Sequence, residues 1–367
     1  MIFGTRPEII KLSPVFDALT AKDCIDVTCV FTGQQQDLAG AFLSEFNIPV
    51  DYHLEVMRGG QPLPQLLARL ISEIDKVLTD DRPNAVIVQG DTSSALAGAM
   101  VANLNKIPVW HVEAGLRTFD PERPFPEETN RVLIGKLASH HFAATEQNRV
   151  NLLNEGIHSD QISVTGNPIV DVVTRTLNRV NTSARCEQIL AQVETPQLIV
   201  LTAHRRENFA KLMGEYFAEI REFLDEHQQY SLVAPVHPNP TATDLISHHF
   251  DKHPRAHLIN PLGYEDFLQL LSKADLIISD SGGIQEEAAS LNRHLIVLRE
   301  STERPEAIEC GCAELAPSRA ELKNALSRLR SRAQRPPQLT NPFGDGTAGE
   351  KISGVIVNLL AQSLKTN

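Results

Sequence analysis

The sequence predicts an α/β protein made of two Rossmann-like, doubly wound parallel-sheet domains facing a central cleft. Short apolar runs alternate with amphipathic stretches at helical spacing nearly throughout, the pattern of parallel strands joined by crossover helices. The alternation restarts after "VTGNPIVD" (164–171), so it is laid down twice. Polar or Gly-containing loops follow several apolar runs, as at the carboxyl ends of parallel strands, where such folds bind ligands.

Taken in order, residues 25–31 ("IDVTCVF"), 84–89 ("NAVIVQ"), 107–112 ("IPVWHV") and 140–144 ("HHFAA") read as buried strands. The clearest helix covers 63–78, where Leu63, Leu66, Leu67, Leu70, Ile71, Ile74, Val77 and Leu78 form one apolar stripe. After the restart, strands are expected at 197–203, 231–236, 275–279 and 294–298, and a closing helix at 348–363. Only Met1–Phe3 precede the first loop. That is short against the usual strand of about five residues, so N-terminal residues are expected to be missing. The expected domains are 1–166 and 167–352, with the helix 353–367 packing back on the first.

Composition narrows the function classes. At 367 residues the chain can bury two full cores. A formal charge of −12 argues against a nucleic-acid surface. No apolar run approaches the roughly 20 residues of a membrane helix, and "MIFGTRPEIIKLSP" lacks the regions of a secretory signal. A cytoplasmic protein without membrane insertion is expected. Five cysteines without a CxxC pair read as reduced thiols, and no histidine spacing suggests a metal site. The arginines Arg6, Arg117, Arg205, Arg206 and Arg304 fall in predicted loops, as local anion sites on an acidic body.

Three carboxylates stand out: Asp91 in "QGDTSS", Glu113 in "HVEAGLRT" and Glu127 in "PFPEETNR", each placed at the end of a strand-like segment. Grouped, partly buried carboxylates can move protons at neutral pH, because burial and mutual repulsion raise some of their pKa values. A plainer reading has Asp91 capping the next helix and Glu127 or Glu128 decorating a helix start. "FGTRPEIIKLSPV" (3–15) forms a first strand-to-helix loop in which Arg6 can meet an anion beside helix N–H groups. In "ADLIISDSGGIQEEAASL" (274–291), Ser281, Gly282 and Gly283 precede a helix starting near Ile284. That loop suits a diphosphate, with Glu287 one turn on facing ribose hydroxyls. "LTAHRREN" (201–208) places His204 after a strand as phosphate donor, acid or cap, while His237 reads as structural. The first strand-to-helix loop has no GxGxxG, and the chain has no GxxxxGK[ST].

The ordered set "GTRPEIIKLSP", "QGDT", "HVEAGLRT", "PFPEETNR", "TAHRREN", "DSGGIQEEA", "TERPEA" and "NPFGDGTAGEKI" resembles the non-hydrolysing UDP-N-acetylglucosamine 2-epimerases from residue 3 to about 352. The resemblance implies the glycosyltransferase-B architecture and interconversion of UDP-N-acetylglucosamine and UDP-N-acetylmannosamine without NAD or metal, with no cofactor. It implies catalytic roles for Asp91, Glu113, Glu127 and His204. It assigns UDP-sugar contacts to Arg6, Lys11, Phe267, Ser281, Gly282, Gly283, Glu287 and Arg304. A homodimer feeding cell-surface polysaccharide synthesis is implied as well. Alternatives are a hydrolysing relative releasing UDP, and an epimerase of a further modified UDP-sugar. Two departures stand out. Gln35 in "FTGQQQDL" replaces a histidine of the regulated members, so activation by UDP-N-acetylglucosamine is not expected. Leu262 in "NPLGYEDF" replaces a glutamine of some members.

Overall fold

The computed structural model describes residues 1–178, 183–203, 210–236, 240–329 and 340–366. By its internal contacts the chain divides into one unit of Met1–Val172 with Phe343–Asn367, and a second of Val173–Pro342. The sequence placed these junctions at 166/167 and 352/353.

The first unit alternates strand and helix throughout: β1 (Ile2–Phe3), α1 (Arg6–Thr20), β2 (Val30–Phe31), α2 (Gln36–Glu45), β3 (Tyr52–His53), α3 (Leu63–Asp81), β4 (Val86–Gln89), α4 (Ser93–Leu104), β5 (Val109–Ala114), α5 (Glu127–Leu137), β6 (His140–Ala143), α6 (Glu146–Asn154), β7 (Ile162–Val164) and α7 (Pro168–Asn178), which runs across the junction. Parallel ladders join β3-β2-β1 and β4-β5-β6-β7, and β1 lies beside β4. The strand order therefore reverses between β1 and β4, and loops leaving such a switch point form the ligand crevice of an open α/β sheet.

The second unit follows the same plan with α8 (Ala184–Leu190), β8 (Gln197–Thr202), α9 (Ala210–Glu226), β9 (Tyr230–Pro235), α10 (Pro240–Phe250), β10 (Ala256–Ile259), α11 (Tyr264–Lys273), β11 (Leu276–Ser279), α12 (Gly282–Ser290), β12 (Leu295–Val297), α13 (Pro305–Glu309), β13 (Ala313–Leu315) and α14 (Arg319–Leu329). Its single parallel sheet has the order β10-β9-β8-β11-β12-β13, with the switch point between β8 and β11. The last helix, α15 (Ala348–Thr366), returns to the first unit and packs on α1. There the Ser353 hydroxyl donates to the Ala18 carbonyl at 3.0 Å.

The cores follow the apolar patterning. Leu66, Leu70, Ile74, Val77 and Leu78 of α3 join Val86, Val88 and α4 in the first unit's core. Leu63, counted in that stripe, is 39% exposed, since it opens the helix. In the second unit Ile199, Leu201, Leu232, Leu276 and Ile278 from three strands pack with Tyr216, Phe217 and Phe223 of α9.

The boundaries of β2 and α12 are among those that differ from the sequence reading. The strand expected over 25–31 pairs only at Val30 and Phe31, because β1 offers just Ile2 and Phe3 as partners. The helix expected near Ile284 begins two residues earlier, at Gly282.

Candidate active site

At the first switch point, β1 leads into Gly4-Thr5-Arg6. A Cβ on Gly4 would lie 2.0 Å from Thr32 Oγ1 and 2.4 Å from Ser94 Oγ, so only glycine permits this close approach. Thr5 and Glu8 form a capping box at the start of α1. Arg6 opens that helix, with its guanidinium carbon 5.2 Å from the centre of the Phe42 ring. Its backbone N–H donates to Gln35 Oε1 at 3.2 Å.

β4 ends at Gln89 and the chain turns through Gly90 to Asp91. The helix cap is Thr92, whose hydroxyl accepts from the Ala95 amide at 3.0 Å, and not Asp91. Asp91 instead accepts from the Arg131 guanidinium of α5 at 2.6 Å, while the Asn130 side chain donates to the Asp91 carbonyl at 2.8 Å. The same Arg131 lies 3.1 Å from Glu128. Glu128 accepts the Thr118 and Phe119 amides at 3.0 Å each, tying the 115–126 loop to α5.

Glu113 is the most distinctive residue of the unit. The expected strand stopped at Val112. The observed β5 runs on to Ala114, and its register with β6 shifts between those two residues. Glu113 occupies that irregularity at φ +62°, a conformation side chains with a Cβ rarely adopt. Such strain costs on the order of 1–3 kcal/mol and persists where surrounding contacts impose it. Here they do. The carboxylate, 2% exposed, meets Lys11 Nζ at 2.5 Å. It also accepts from the Gln89 amide and from Asn167 Nδ2, the latter at 3.3 Å. Glu113 thus sits near the end of β5, and Asp91 lies just past the end of the adjacent β4. Glu127 is not at a strand end. It is the half-buried first residue of α5, next to Glu128.

The surroundings hold buried titratable groups. His111, two residues before Glu113, donates from Nε2 to the Gly90 carbonyl at 2.7 Å. Burial pushes its pKa down to about 4, so the ring is neutral at pH 7. Its register partner His141 is pushed down to about 3 by the same cause. Glu8 is driven the other way, to about 7, by burial that outweighs its hydrogen bonds.

Arg117, read from the sequence as a loop cation for an anion, is committed elsewhere. It is buried, and Glu155 receives its Nε and Nη2 at 2.6 and 2.8 Å.

In the second unit the switch-point loop after β11 carries Asp280, Ser281 and Gly282. The Ser281 amide donates to Ser279 Oγ at 3.0 Å, and that hydroxyl is 2.7 Å from Thr202 Oγ1 on β8. Ser281 occupies the cap position of α12 without a capping bond from its side chain. Arg304 comes to this helix start between Glu286 Oε1 at 2.6 Å and Glu303 Oε1 at 2.5 Å. A Cβ on Gly282 would lie 2.8 Å from Arg304 Nη1 and 2.9 Å from Glu303 Oε1. Open space surrounds the equivalent position of Gly283. Glu287 accepts from the Tyr264 hydroxyl at 2.9 Å, and Phe267 lies half-buried on the same helix as that tyrosine. His204, Arg205, Arg206 and His237 lie outside the described residues. Among the described residues no group of three His, Cys, Asp or Glu could hold a metal ion.

The model of the family described as UDP-N-acetylglucosamine 2-epimerase matches residues 17–357. The chain belongs to this family. The Bacillus subtilis UDP-N-acetylglucosamine 2-epimerase is 39% identical over 355 residues, 96% of this chain and 92% of that one. A UDP-GlcNAc 2-epimerase from Neisseria meningitidis, solved bound to UDP-GlcNAc, matches with a TM-score of 0.92 at 36% identity, covering 97% of this chain and 98% of that one. The Methanocaldococcus jannaschii UDP-GlcNAc 2-epimerase, solved with UDP-GlcNAc and UDP, matches at 0.87 with 36% identity and the same coverage. A trehalose 6-phosphate synthase from Burkholderia multivorans, 11% identical at a TM-score of 0.55, shares the fold alone.

In this epimerase the structure brings Lys11 to Glu113, and adds Gln89, Asn167, Arg131 and Glu128, which sequence reasoning missed as site residues. Asn167 lies in "VTGNPIVD", which the sequence marks only as the place where the alternation restarts. Arg131 closes the quoted stretch "PFPEETNR", yet nothing local shows that it reaches Asp91 across 40 positions.

Proposed function

We propose that this chain interconverts UDP-N-acetylglucosamine and UDP-N-acetylmannosamine by eliminating UDP and adding it back. The observation that carries the reading is Glu113, a buried carboxylate held on a strained strand end by Lys11, Gln89 and Asn167, one strand from Asp91. Family membership and relatives solved with UDP-GlcNAc support it.

The C2 proton of an amino sugar is not next to a carbonyl and is barely acidic. Inverting C2 without oxidation therefore calls for elimination. A carboxylate base takes the C2 proton, the C1–O bond to UDP breaks with its electron pair going to the nucleotide, and 2-acetamidoglucal forms. A second carboxyl group then protonates C2 from the opposite face while UDP re-forms the C1–O bond. Asp91, Glu113 and Glu127 are the proton-transfer groups on this reading, and His204 assists. Arg6, Arg304, Phe267, Glu287 and the Ser281–Gly283 helix start retain the UDP moiety, a dianion best held by guanidinium groups and helix N–H donors.

The same reading makes the chain a cytoplasmic homodimer whose product feeds cell-surface polysaccharide synthesis. No helix among the described residues is long and apolar enough to cross a membrane. Incubation with UDP-N-acetylglucosamine is expected to yield an equilibrium mixture with the manno epimer and only traces of UDP. Stoichiometric release of UDP and free N-acetylmannosamine would replace this reading with a hydrolysing one.

A further inference from the structure

We propose that Glu8 is a positioning residue that locks the Arg6 loop and the Asp91 turn together as one piece. The inference rests on the function proposed above and adds to it a residue placed behind the reacting groups. Glu8 lies in the first turn of α1 and is fully buried. One carboxylate oxygen accepts the Gly4 amide at 3.0 Å, the Thr5 amide at 2.8 Å and the Thr5 hydroxyl at 2.8 Å. The other accepts the Thr92 hydroxyl at 2.8 Å, across 84 positions.

Helix capping explains only the first oxygen. A capping carboxylate works on an exposed helix end, where it contributes about 1 kcal/mol. Burying a carboxylate costs more than an exposed cap requires. The second oxygen shows what the burial achieves. Thr92 accepts from Ala95 and so directs its only hydroxyl proton at Glu8. Arg6 stands two residues before Glu8, and Asp91 one residue before Thr92. A nucleotide contact and a proton-transfer group are thereby referred to the same carboxylate, on the two loops that flank the switch point. Misplacing a reacting group by about 1 Å can cost on the order of a hundredfold in rate, so the cross-link acts on catalysis without touching substrate.

The test compares Thr92→Val, which keeps the volume and loses the hydroxyl, with Thr92→Ser, which keeps the hydroxyl, in the full-length chain. Glu8→Ala and the double variant Glu8→Ala/Thr92→Val accompany them. Thr92→Val is expected to lower kcat on the order of tenfold per folded molecule and to weaken UDP binding severalfold. Thr92→Ser should restore both to within about twofold. The double variant should be no worse than the poorer single variant, because both cut one connection. If Glu8→Ala does not fold, the Thr92 pair decides alone. A lowered Tm with kcat and UDP affinity unchanged in Thr92→Val would reduce Glu8 to a helix cap and overturn the inference. An unmodified chain that fails to epimerise would instead defeat the functional reading on which the inference stands.

Discussion

In the first unit a carboxylate, Glu113, is held by a lysine and two amides on a distorted strand. In the second a guanidinium, Arg304, is held by two carboxylates against a residue with no Cβ. Glu113 lies near the end of β5, one strand from its unit's switch point. Arg304 meets the helix start that follows the switch-point strand β11, so the two units fix charge by different means. The first stores strain at a residue that keeps its side chain, which on the proposed function is the group that reacts. The second removes a side chain, because the helix start must admit an arginine and, on the proposed function, a diphosphate. Proton transfer calls for an acid whose position is overdetermined, and diphosphate binding calls for accessible backbone donors beside a preorganised cation.

The sharpest break of that contrast comes from the carboxylates themselves. Asp91→Asn, Glu113→Gln and Glu127→Gln are each expected to lower turnover by about a hundred- to ten-thousandfold, while UDP binding by calorimetry stays within a few-fold. Near-normal turnover in all three would leave the first unit without its assigned chemistry. Next in size is Lys11→Met. Removing one partner of a buried ion pair costs about 3 kcal/mol, read as a lower urea midpoint at unchanged slope. An unchanged midpoint would mean that Gln89 and Asn167 suffice to hold Glu113.

Acid sharpens the comparison further. His111 and His141 are neutral in the fold because burial pushes them to about 4 and about 3. In the unfolded chain they titrate near 6.5. Their contribution to stability is therefore present above pH 6.5 and is lost as pH falls toward the folded values. Between pH 6.5 and 5 that loss is roughly 2 kcal/mol per histidine. Thermal melts should show Tm falling over that interval, and His141→Leu should flatten the fall. The smallest effect is expected from Gly282→Ala, whose new methyl meets the tips of Arg304 and Glu303. UDP affinity should fall about tenfold, the equivalent of 1.4 kcal/mol, with turnover at saturating substrate nearly kept.

The sequence made the repeated strand–helix plan plain, because buried parallel strands are continuous apolar runs. It placed Asp91 and Glu113 after successive strands and put Gly282 and Gly283 at a helix start, since both features rest on neighbours in the chain. It did not show the bulge at Glu113, which exists through contacts with Lys11 and Asn167, 102 and 54 positions away. Nor did it show that Arg117 is spent on Glu155 while Arg131 serves Asp91. Both arginines lie in polar stretches, and only the folded sheet decides which carboxylate each one meets. The strand over 25–31 was overextended because apolar patterning reports burial and says nothing about the length of the partner strand.

The central claim is that carboxylates of the first unit exchange the C2 proton of a UDP-sugar. Proton NMR of UDP-N-acetylglucosamine incubated with the chain in deuterated buffer tests it most directly. The expected result is loss of the C2 proton signal from both epimers as they equilibrate, abolished in Glu113→Gln. Epimer formation with the C2 proton fully retained would contradict the account.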